Sequence, residues 1–152
     1  MAASSKRTAG QIFWRFCFVA YCALMLWLLF GQRLGTEVYT QQLADSVNLK
    51  PFATIERYLR MLSNQHNQKL LRHAVINLAG NVVMFIPLGF FLPKIFPRLR
   101  GLFRTFFLAV LLICLVEAVQ YVTALGTCDV DDLILNLVGV CLGYPLSKIK
   151  HN

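Results

Sequence analysis

Eight oxygen- and amide-bearing side chains stand where a largely apolar chain would be least expected to carry them: Asn77, Asn81, Glu117, Gln120, Asp129, Asp131, Asp132 and Asn136. Their spacing groups them. Asn77 and Asn81 are four apart and Glu117 and Gln120 three apart, so each pair shares a helix face. Asp132 and Asn136 are four apart, and the same face runs on through Gly139 and Gly143. A carboxylate within a membrane helix costs about 2.5–3.5 kcal/mol to insert, so it faces a protein interior or a wet cavity and marks a functional position. Glu117 is the most costly of the set and the first candidate for a protonated, amide-paired or cation-bound carboxylate. Asn77, Asn81 and Asn136 have a plainer use, because amides also join helices by hydrogen bonds. One aspartate at the start of a helix satisfies orphan N–H groups. Three in the stretch Asp129-Val130-Asp131-Asp132 are more than capping one helix needs.

The elements that must hold these groups are apolar. The chain of 152 residues is 57% hydrophobic and 14% charged, against about 25% charged in ordinary soluble domains, so the bilayer is the expected solvent. Residues 12–30 form a first apolar run, opened by Arg15. A secretory signal would have a shorter apolar region of about 7–15 residues and a small-x-small cleavage site. This run ends in Phe30-Gly31-Gln32-Arg33 instead, and an uncleaved span is expected. Residues 74–93 form a second span with a kink expected at Pro87. Residues 102–122 form a third and residues 132–147 a shorter fourth, since about 20 residues cross the hydrocarbon core. Between the first two spans, Ile55, Tyr58, Leu59 and Leu62 recur at helical spacing among Glu56, Arg57 and Arg60. That pattern predicts a short amphipathic helix on the membrane surface. The expected fold is therefore all-α: one unit over 1–152, with about four transmembrane helices and an interfacial helix after the first.

Topology then gathers the polar groups. The second span begins, the third ends and the fourth begins on the same side, so all eight lie at one depth. The Gly139 to Gly143 spacing lets a neighbouring helix approach closely and turns Asn136 and Asp132 inward. With the N-terminus inside, nine Lys and Arg fall on the inner side and six on the outer. The short connection at 94–104 is strongly basic, while 123–131 has no Lys or Arg. Both termini are accordingly expected in the cytoplasm. The net charge of +8 flanks apolar runs, which suits anionic lipid rather than nucleic acid. The five cysteines show no CxxC or Cys/His spacing, and neither a zinc site nor a disulfide framework is expected. His66, His73 and His151 lie apart from the polar set.

Several pieces, in order and spacing, resemble the VanZ-like family of bacterial membrane proteins: Asn77-x-x-x-Asn81, Phe85-Ile86-Pro87-Leu88-Gly89-Phe90, Glu117-x-x-Gln120, Asp129-Val130-Asp131-Asp132-Leu133-Ile134-x-Asn136 and Gly139-x-x-x-Gly143. Asn48-Leu49-x-Pro51-Phe52 is similar to the family's short loop motif. The motif-bearing region is 74–149, with Pro87, Gly89, Gly139 and Gly143 as packing positions. Many members carry a basic residue before the aspartates, where this chain has Gly126-Thr127-Cys128. The resemblance implies a multi-pass protein of the bacterial inner membrane linked to the envelope and to glycopeptide (teicoplanin) tolerance.

Three functions fit the polar set. One is binding of a lipid-linked envelope precursor or another amphiphile, a glycopeptide included, through a pocket at the outer leaflet. A divalent cation could bridge it, and Arg57, Arg60, Lys69 and Arg72 would attract phosphate; no other cofactor is expected. The second is a metal-dependent enzyme on lipid phosphates, although no nucleophile–base pair is evident. The third is a small proton-coupled carrier.

Overall fold

The structure is a computed structural model that describes residues 2–31, 47–63, 68–123 and 128–149. Gly126, Thr127, Arg33, His66, Lys150 and His151 lie outside the described residues. Among the described residues there are five α-helices: α1 (Ala2–Leu26), α2 (Ala53–Ser63), α3 (Gln68–Ile95), α4 (Leu102–Val122) and α5 (Val130–Leu146). A wider π turn, Trp27–Gly31, extends α1. Two short extended pieces, β1 (Val47–Asn48) and β2 (Cys128–Asp129), pair in parallel, with Val47 opposite Cys128 and Asn48 opposite Asp129.

Among the described residues, three helical stretches are long and apolar enough to cross a membrane: Gly10–Gly31, Ala74–Ile95 and Leu102–Val122. The fourth expected span is the 17-residue α5. At 1.5 Å per residue it measures about 25 Å, short of a hydrocarbon core of about 30 Å. Length and composition single out three spans among the described residues; α5 is a shorter helix packed along α3 that runs to the other end of the bundle, where Tyr144 meets Arg100.

Helix α4 shows why bilayer is the appropriate solvent. Its buried stripe is Thr105, Ala109, Ile113, Glu117 and Gln120, which holds every strongly polar residue of its second half. The opposite stripe, Phe103, Phe107, Leu111 and Leu115, is apolar and exposed. A water-soluble helix has the reverse arrangement. Glu117 thus faces protein, and the large apolar residues face the acyl chains.

The core is α3 against α5, and its geometry is set by three glycines. A Cβ on Gly89 would lie 2.2 Å from the Val140 carbonyl oxygen. One on Gly139 would lie 2.2 Å from the Val82 oxygen, and one on Gly143 would lie 1.9 Å from the Ile86 oxygen. The two backbones are in contact, which only hydrogen in place of a side chain allows. Phe85, Leu88, Leu92, Ala109, Ile113 and Val140 fill the interior around this contact. Helix α1 joins through aromatics, with Phe18 and Tyr21 against Phe91. Pro87 and Pro93 both lie inside the continuous α3. Pro87 has no N–H to offer one turn back, and in that stretch the Tyr21 hydroxyl donates to the Met84 carbonyl at 2.9 Å.

The chain direction brings the end of α1, all of α2, the start of α3, the end of α4 and the start of α5 to one end of the bundle. The other end is basic. There Lys94 lies over the Trp14 and Phe90 rings, and the Tyr144 hydroxyl donates to the Arg100 carbonyl at 2.7 Å.

Candidate functional site

At the polar rim the three aspartates divide their work among three elements. Asp129 is the N-cap of its own helix, α5, accepting from the Asp131 amide at 2.9 Å. Its other oxygen accepts from the Thr54 hydroxyl at 2.6 Å, and Asn48 Nδ2 donates to both oxygens at 3.3 Å. Asp131, at 0% exposure, reaches across to a different helix. Its carboxylate accepts from the amides of Phe52 (2.6 Å), Thr54 (2.7 Å) and Ile55 (3.0 Å). These are orphan donors of the first turn of α2, so Asp131 is the anion at that helix's positive end. Asp132 accepts from Asn81 Nδ2 of α3. One four-residue stretch thereby caps α5, clamps α2 and ties α5 to α3. Sequence alone counted the caps of one helix, and the second helix accounts for the surplus.

The clamp fixes a strained turn. Phe52 has φ of +66°, a region bulky residues rarely adopt, and its amide is the shortest of the three donors to Asp131. Asn48, Phe52 and Thr54 are thus parts of the site that the polar spacing did not identify. The available signal was the Asn48-Leu49-x-Pro51-Phe52 motif, noted without a partner.

Four candidates remain, each in its own position. Gln120 is buried, but its Nε2 donates to the Leu29 carbonyl at the end of α1, 3.2 Å away, so it anchors α1 rather than joining the aspartates. Asn77 is half-buried one turn before Asn81. Glu117 is buried on α4 near Cys128. Burial first, and the Glu117 charge second, push the Cys128 thiol above its ordinary pKa. Burial and then the Asp132 charge push the Tyr58 phenol up as well, against the pull of Arg57. Asn136 is 4% exposed, and its Oδ1 is buried with no hydrogen-bond donor among the described residues. Also among the described residues, no three His, Cys, Asp or Glu side chains are grouped to hold a metal ion.

The coupling between Glu117 and Cys128 gives a direct measurement. In a variant keeping Cys128 as its sole cysteine, Glu117→Gln removes a negative charge, lowers the thiol pKa and raises the thiolate fraction at neutral pH. Alkylation by a water-soluble maleimide then becomes faster. An unchanged rate across the pH series would mean that Glu117 carries no charge in the folded protein.

Residues 18–151 match the VanZ/LLP1 family. A relative described as Protein VanZ, from Enterococcus faecium, is 28% identical over 143 residues, covering 93% of this chain and 78% of its own length. No solved structure matches.

Proposed function

The chain belongs to the VanZ/LLP1 family, and from that premise we propose that it is a multi-pass inner-membrane protein whose polar rim holds a lipid-linked or amphiphilic envelope ligand and so contributes to glycopeptide tolerance. The rim lies at the outer leaflet and both termini in the cytoplasm. Support for that orientation comes from the basic 94–104 connection at the opposite end. The ligand is a lipid-linked envelope precursor or a glycopeptide such as teicoplanin, and binding, not turnover, is the activity.

The observation that carries the reading is the Asn136 acceptor. An unsatisfied buried acceptor costs about 1–3 kcal/mol, so a ligand hydroxyl or amide donor gains most at this point. It lies one turn below Asp132 on the α5 face that carries Gly139 and Gly143. Asp129 and Asp131 already accept N–H and O–H donors from Asn48, Thr54 and the α2 amides, so they position the rim. Asn136 is the acceptor left to meet a ligand, and Glu117 is the buried carboxylate on the neighbouring helix α4. A divalent cation between ligand phosphate and Glu117 would add affinity, and its removal by chelator should then weaken binding.

The test is teicoplanin susceptibility of a sensitive bacterium expressing the chain. Wild type is expected to raise tolerance. Glu117→Gln should abolish most of the gain at unchanged membrane abundance, since bonds to a charged group are worth about 1.5–3 kcal/mol, roughly tenfold or more in affinity. Full tolerance in the variant would remove the pocket from the explanation, and no tolerance from wild type would remove the glycopeptide link.

A further inference from the structure

We propose that the outward flank of α2 is a binding site for the phosphate of an anionic membrane lipid, formed by Lys50, Arg57 and Arg60. A groove of about 550 Å³ opens there, lined by these three cations with Pro51, Ala53, Glu56 and Met61. Glu56 is engaged with Arg60 at 3.1 Å, so three positive charges face one carboxylate and the groove keeps a positive excess. The amides of the α2 first turn are occupied by Asp131. An anion in the groove is therefore held by side chains from the helix flank.

A second observation indicates that the anion arrives with a lipid attached. Leu49 is 70% exposed and Phe52 55% exposed, on either side of Lys50 and Pro51. Phe52 is held at positive φ, where glycine would be unstrained, yet more than half of the residue's surface stays outside the protein. A bulky side chain kept in a costly conformation and left outside suits contact with something beyond the chain. Cations beside protruding apolar residues are the signature of an interfacial segment on an anionic bilayer. Position agrees: β1 and the Asp131 clamp fix this segment to the end of the membrane-crossing helices, level with lipid headgroups.

The inference rests on the membrane placement of the rim given above and is independent of the glycopeptide link, which the susceptibility assay tests separately. The experiment is hydrogen–deuterium exchange of the full chain in nanodiscs of phosphatidylcholine, with or without phosphatidylglycerol. Peptides across 50–61 should exchange roughly fivefold slower when phosphatidylglycerol is present. The triple change Lys50→Gln, Arg57→Gln and Arg60→Gln, all at exposed positions, should abolish that difference while protection of α3 and α5 stays as in wild type. Phe52→Gly should reduce the lipid effect without lowering the thermal midpoint in detergent. Equal exchange in the two lipids, or a lipid effect that survives the triple change, would overturn the proposal. Protection reproduced by inorganic pyrophosphate in phosphatidylcholine discs would overturn the lipid assignment in favour of a free anion.

Discussion

Asp131→Ala should release α2 from the bundle while leaving α3, α4 and α5 assembled. The Asp131 carboxylate is fully buried and accepts three amides, at 2.6, 2.7 and 3.0 Å. Deleting it leaves those donors without their acceptor, and hydrogen bonds to a charged group are worth about 1.5–3 kcal/mol each. Among the described residues, the Asn48 and Thr54 bonds to Asp129 and the two-residue β1–β2 pairing also tie the 47–55 segment to the start of α5. They are few, and they share the same clamp geometry. The readout is trypsin cleavage after Arg57 and Arg60, which should become rapid in Asp131→Ala and remain slow in wild type. Asp131→Asn should fall between, because the amide keeps one acceptor but turns an N–H₂ toward helix amides. If Asp131→Ala leaves α2 as resistant as before, the segment is held by something other than this carboxylate.

The parts of this site legible in the sequence are those carried by periodicity within one helix. The Asn81, Asp132 and Asn136 positions, and the buried stripe holding Glu117, follow from spacings of three and four. The amphipathic α2 was legible from Ile55, Tyr58 and Leu62 for the same reason. The clamp was not, because it joins residues 79 apart through backbone amides, and a backbone donor leaves no mark on residue type. Gln120 makes the complementary point. Its spacing from Glu117 places both on one face of α4, but a face is wide enough to serve two neighbours. The residue one turn nearer the end meets α1 at Leu29 instead. The place and short length of α5 were legible too, the expected 132–147 lying against the observed Val130–Leu146. An apolar run of this size spans or falls short of spanning according to a few residues at its ends, and here Asp129 sets that end by capping.

A methyl group at Gly143 should damage the rim from a distance. The Cβ of Gly143→Ala would lie 1.9 Å from the Ile86 carbonyl oxygen and 2.9 Å from its carbon. Both are backbone of a helix whose next neighbours, Phe85 and Leu88, are themselves buried, so no side chain can swing aside. The helices must separate or shift along each other, and overpacking of this kind costs about 1–3 kcal/mol, with more where backbone must move. Because α3 and α5 also carry the two partners of the Asn81–Asp132 bond, their separation stretches the contact on which Asn136 depends for its depth. Gly80→Ala supplies the contrast on the same helix pair. A Cβ there meets nothing within 4 Å, and exchanging glycine for alanine inside a helix gains about 0.8–1 kcal/mol. Thermal unfolding in detergent should therefore move in opposite directions for the two alanine variants, down for Gly143 and level or up for Gly80. A shared direction would mean that the glycines act through helix propensity alone, and the close backbone contact would lose its place as the feature that sets the depth of the polar groups.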